Sequence, residues 1–159
     1  MATTLEWAGL GTTQTAIAGT ALNAMANNAL VLGSAVAWVQ ATGGIVGFVW
    51  GRVQLTFKFQ SGPTTNTGFD VWFLKSQDGG STFEEGSTSV VPARPPDLTF
   101  LAHDYGGTGD TNAHTVSKDV LIPCGSWKAL LKNDATGQSL TASNTDNILT
   151  VTPLSTQQV

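Results

Sequence analysis

The sequence predicts an all-β fold, an antiparallel β-sandwich of jelly-roll type behind an extended N-terminal arm. Three observations predict it. Residues 52–60 alternate strictly, with Val53, Leu55, Phe57 and Phe59 on one face and Arg52, Gln54, Thr56, Lys58 and Gln60 on the other. A period of two belongs to a half-buried antiparallel strand, whereas a helix would scatter the same apolar residues around its circumference. Short runs of strand character recur along the chain between Gly, Pro and Asn turns, a spacing that suits a sandwich. Charged residues make up 11% of the 159-residue chain, less than half of the roughly 25% usual for a soluble domain, and Gly, Thr, Ser and Asn take their place.

The elements follow in order. Residues 12–32 are rich in Ala, Thr and Asn, and a weak helical stripe through Ala16, Ile17, Thr20, Ala21, Ala24 and Ala29 is interrupted at Gly19 and Asn27-Asn28. Gly and Asn are poor helix formers, so residues 1–33 read as an arm with one short helix over 21–27, and residues 34–159 as the sandwich domain. From residue 34 the pattern turns to strand, with Val36 and Trp38 on one face. Residues 45–50, after the Gly43-Gly44 turn, are almost wholly apolar and are expected to be buried on both sides. Residues 69–75 place Phe69, Val71 and Phe73 on one face and Trp72 and Leu74 on the other. One face therefore covers the core while the other meets a second chain or a covering loop. Asp78-Gly79 favours a turn and predicts a hairpin into 81–85. Pro92, Pro95 and Pro96 mark an extended crossing, because proline is kept out of strand interiors. Strands are predicted over 98–102, 115–122, 126–132 and 148–153, with a Gly-rich loop at 105–112 and a polar tail at 155–159 expected to fray.

Several function classes are excluded by composition. Seven Lys and Arg residues are scattered without a run, and the net charge is −4, so the basic footprint that nucleic acid needs is missing. No window has the unbroken apolar length of about 18 residues that a membrane span needs. Residues 1–10 lack the charged-then-apolar order of a signal peptide, so synthesis in a cytoplasm is expected. Cys124 is the single cysteine; it cannot form an internal disulfide and is expected to be a buried thiol beside Ile122, Pro123 and Trp127.

No catalytic, cofactor or metal site is expected. His103 and His114 flank a loop region with Asp104, Asp110 and Asp119, but the spacing matches no ligand motif. Solvated loop groups are the expectation, with a calcium ion at Asp104 and Asp110 as the alternative. Glu84 and Glu85 are sequence neighbours and on a strand would point to opposite faces, unlike a glycosidase pair. There is no G-x-S-x-G elbow and no phosphate loop, since Gly9-Leu10-Gly11 lacks the rest of that pattern. Of the five tryptophans, Trp38, Trp50 and Trp127 are expected in the core. Trp7 and Trp72 are expected to be exposed, where a ring serves either as a platform for a sugar or as an interface anchor.

Four segments carry a resemblance. Phe69-Asp70-Val71-Trp72-Phe73 runs into Leu74, Ser76 and Asp78-Gly79, with Phe83 as the second aromatic. Pro123, Gly125, Lys128, Leu131 and Asn133 form a second spaced pattern, in which Cys124 and Trp127 are departures. Thr136-Gly137, Leu140 and Ala142-Ser143 form a third, and Leu22-Asn23-Ala24-Met25-Ala26-Asn27-Asn28-Ala29 a fourth. In their order along the chain they resemble small virion structural proteins of tailed bacteriophages. The resemblance implies a virion protein made in the host cytoplasm, and its expected position is the outer head surface, as a decoration (cement) protein bound to the major capsid protein. Tail or vertex placement, or a carbohydrate-binding module displayed on the particle, is the alternative. It further implies a closed homo-oligomer, a trimer in preference to a dimer. Leu5, Trp7 and Leu10 in the arm, with Trp72, are the expected partner-binding anchors.

Overall fold

The computed structural model describes residues 5–8, 12–38, 50–63, 68–101, 112–123 and 125–158, with the backbone alone for 5–8, 38 and 155–158. Among them the chain forms β1 (Leu5–Ala8), β2 (Gln14–Ile17), a single helical turn α1 (Gly19–Leu22), β3 (Leu30–Trp38), β4 (Trp50–Phe57), β5 (Gly68–Lys75), β6 (Leu98–Leu101), β7 (His114–Leu121), β8 (Gly125–Asp134) and β9 (Ile148–Gln158). Two antiparallel sheets pack face to face as a β-sandwich. The first has the order β1-β9-β4-β7, with β2 pairing β9 on the same side as β1; the second is β3-β8-β5-β6.

Alternation dictates the core. Val53, Leu55 and Phe57 of β4 point inward, followed by Phe59, and all are buried. Phe57, Phe59 and Phe69 bring their ring centroids within 5.0–5.8 Å of one another. Phe73 meets Trp127 edge-on at 5.1 Å. Such offset and edge contacts follow the quadrupoles of the rings. Of the tryptophans expected in the core, Trp127 is fully buried, whereas Trp50 is 46% exposed. Trp50 ends an apolar run, but it has the parity of Arg52, Gln54 and Thr56 and so faces outward with them.

Residues 14–25, within the expected arm, contribute to the core of the sandwich. Ala16 and Ile17 of β2, Leu22 of α1 and Met25 all belong to the main core, and the boundary expected after residue 33 falls inside β3. A bulge explains why this was hidden. Leu32 lies opposite Leu130, but Ala35 lies opposite Lys128, so β3 gains one residue and its inward parity changes. Val31 before the bulge and Val36 after it therefore both pack on the main core, which no single alternation would show. Gly33 sits in this bulge because β2 crosses there: a Cβ would lie 2.0 Å from the Ala16 carbonyl oxygen.

Loops are built by buried polar side chains. Asn133 is fully buried; its Nδ2 donates to the carbonyls of Ala26 and Gln138, and its Oδ1 accepts from the Thr136 hydroxyl at 2.6 Å. Asn27 and Asn28 accept from the backbone N–H groups of Gly137 and Ala135. Asn147 accepts from the Lys58 N–H and donates to the carbonyls of Thr141 and Ser143. Residues 136–143 form a loop held by these asparagines, with one bridge from Leu140 to Phe59.

Candidate docking surface

Two outer faces were available for a site, and the structure treats them differently. On the outer face of the second sheet, Trp72, Leu74 and Leu130 form a separate apolar cluster with Leu30, Leu32 and Phe83. The chain covers it with its own connection between β5 and β6. Trp72, expected as an exposed partner anchor, is only 2% exposed, and its Nε1–H donates to the Arg94 carbonyl at 3.0 Å. Of the two occupants expected for this face, a second chain or a covering loop, the loop is the one present.

That connection also completes the edge of β5. Beyond Val71, where β6 stops pairing, side chains take over from a strand. The Phe73 N–H donates to the Asp97 carboxylate at 2.6 Å, and the Arg94 guanidinium donates to the Phe73 carbonyl at 2.9 Å. Glu84 accepts from the Lys75 N–H through its carboxylate and returns its own N–H to the Lys75 carbonyl. Arg94 ties the two acids together, at 2.9 Å to Asp97 and 3.3 Å to Glu84. The expected hairpin into 81–85 is thus replaced by a single strand-like contact at Glu84. The turn before it is closed by Asp78, which accepts from Ser76, Ser81 and Thr82. The backbone and hydroxyl bonds from Thr82, then the Ser76 hydroxyl, hold the Asp78 carboxyl well below the usual carboxylate range.

The outer face of the first sheet is uncovered by any such strap among the described residues. Its registers lay the side chains out in rows across β9, β4 and β7. Leu154, Trp50 and Leu121 form an apolar row. Thr152, Arg52 and Asp119 form the next, and Thr13 joins it through its hydroxyl contact with Thr152 at 2.8 Å. Thr150, Gln54 and Ser117 form the third, extended by Thr15 on β2. Ile148, Thr56 and Thr115 form the fourth, with the two hydroxyls 3.0 Å apart. Trp50 at 46% and Leu121 at 58% are exposed. The Arg52 guanidinium makes two bonds to Asp119, at 2.8 and 3.0 Å. These bonds lower the Asp119 carboxyl's pKa and raise that of the Arg52 guanidinium. At the far end Lys58 lies 3.7 Å from Asp146. The charges seen on this face therefore cancel in pairs, in a chain of net charge −4.

The remaining candidate residues are dispersed. Leu5 and Trp7 lie on β1, which pairs with the end of β9; Leu10 lies outside the described residues, as do His103, Asp104, Asp110 and Cys124. His114 starts β7 and tilts against Phe57. Asp70 accepts from the Thr99 hydroxyl at 2.6 Å. Among the described residues no three His, Cys, Asp or Glu side chains gather as a metal site, and no helix is long and apolar enough to cross a membrane. Sequence reasoning missed Trp50 and Leu121; the signal that could have found Trp50 was its parity with Arg52. No family model, no curated protein and no solved structure matches this chain.

Proposed function

We propose that this chain is a structural component of a tailed-bacteriophage virion, placed on the outer head surface as a decoration protein that binds the major capsid protein. Its work is surface burial, not chemistry. The observation that carries this reading is the spatial connection of the four resembling segments. Residues 22–29 bond to residues 133–141 through Asn28, Asn27, Ala24 and Met25. Most of the segment around residues 123–133 is β8, and β8 pairs along the whole length of β5, the start of the remaining segment. The four segments thus lie together on one connected part of the sandwich. The low charge of the chain fits the same reading, since interface cores are depleted in charge.

Quantitative mass spectrometry of purified particles tests it, by counting copies of this chain against the major capsid protein. Stoichiometry near that of the capsid lattice is expected. A few copies per particle would place the chain at the tail or a vertex, and absence from the particle would overturn the virion reading.

A further inference from the structure

We infer that the outer face of the first sheet is a homodimer interface, with a second copy of this chain as its occupant. The inference stands apart from the virion reading and rests on the order of the rows. A two-fold axis lying in the plane of contact, parallel to the strands and midway between β4 and β7, superposes β4 of one copy on β7 of the other. Trp50 then meets Leu121 of the second copy, Arg52 meets Asp119, Gln54 meets Ser117, and Thr56 meets Thr115. Every row is complementary to itself under this operation: apolar on apolar, cation on anion, amide on hydroxyl, hydroxyl on hydroxyl. That is the requirement of an isologous interface, in which one patch serves both partners.

The chemistry of the face supports a second copy in other ways. The Arg52–Asp119 pair is preformed and net neutral, so two such pairs stack as a four-charge ring without a charge being stranded. Trp and Arg are the side chains most enriched at interface hot spots, and Trp50 stands exposed one row from Arg52. Face-to-face packing at about 10 Å is ordinary sheet geometry, with strands roughly aligned. By strand spacing and rise the overlapping rows on β4 and β7 span roughly 20 Å by 10 Å. That is short of the ~800 Å² per partner of a standard interface. The dimer is accordingly weak, with a Kd on the order of 10–100 µM.

Sedimentation of the full chain over a concentration series tests this. The wild type is expected to move from monomer to dimer. Trp50→Ser is expected to weaken association by about tenfold or more with an unchanged melting curve, because its side chain is outside the core. Arg52→Asp and Asp119→Arg are each expected to be monomeric alone, one presenting two acidic groups and the other two basic ones. Mixed, they should form a heterodimer. That rescue requires an interface in which the 52/119 pair of one copy lies against the 52/119 pair of the second. A wild type that stays monomeric well above 100 µM, a dimer or trimer indifferent to Trp50, or a mixture that fails to associate would each overturn the inference. Binding of a different partner by a monomeric chain would count with the first of these.

Discussion

Gly33 shows how a single residue can decide whether two elements of the sandwich meet. An alanine in a strand normally gains about 0.5–1 kcal/mol over glycine. At Gly33 the added Cβ would stand 2.0 Å from the Ala16 carbonyl oxygen, against backbone that cannot swing aside. Gly33→Ala is therefore expected to destabilise by about 2–3 kcal/mol, read from chemical denaturation, so that even its sign departs from the ordinary strand case. Asn133 makes the same point for polar groups. Asn133→Ala would remove three hydrogen bonds from a buried site, those to the Thr136 hydroxyl and to the carbonyls of Ala26 and Gln138. A loss on the order of 3 kcal/mol is expected. At Asp78 the prediction concerns pH. Its folded carboxyl is more acidic than the same carboxyl in the unfolded chain. The turn's stabilisation is thus complete above the unfolded value of about 3.9 and is lost as pH falls through the lower folded one. NMR titration should place the Asp78 midpoint below that of an unperturbed Asp, and Asp78→Asn should abolish the difference in turn order across that window. The turn at Asp78 was legible because its partners Ser76, Ser81 and Thr82 are sequence neighbours. Gly33 and Asn133 look like interruptions in composition, and Ala16 and Ala26, which they meet, lie far away along the chain.

At the scale of elements, legibility followed the simplicity of the alternation. β4 was legible because its inward and outward residues never change parity from Trp50 to Phe57. The first half of β3 was hidden by the bulge, which moves Leu30 and Leu32 to one face and Val36 to the other. Trp72 and Trp50 were interchanged for a related reason. Parity says which side of a strand a ring leaves from, but only the path of the chain says whether a loop then covers it. For Trp72 the loop brings Arg94, and with it the cap on the β5 edge. Open strand edges invite pairing with other chains, and here the Asp97–Arg94–Glu84 group occupies the edge positions of Phe73 and Lys75. Arg94→Ala is expected to cost about 1–2 kcal/mol from the lost carbonyl and carboxylate bonds. Amide hydrogen exchange at Phe73 and Lys75 should quicken while that in β4 and β9 changes little.

For the whole molecule, the all-β class and the two-face reading of β5 were legible, whereas the separation of arm from domain was not. Described polar side chains hold the chain to itself: asparagines close the loops at one end, an acidic and basic group caps one edge, and Lys118 reaches across to the Thr99 carbonyl of the other sheet. What is left outward on the first sheet is neutral, hydroxyl-rich and tipped with Trp50, and binding is assigned there on that basis. The framework beneath it includes residues 14–25, whose Ala16, Ile17, Leu22 and Met25 are core, while β1, among the described residues, pairs with residues 155–158 of β9. Chemical denaturation of two truncated chains is the most direct test of this framework. Removal of residues 1–12 is expected to leave a cooperative transition close to that of the full chain, and removal of residues 1–25 is expected to abolish it. A cooperative transition retained after the longer removal would contradict the framework and return this N-terminal segment to the status of an appended arm.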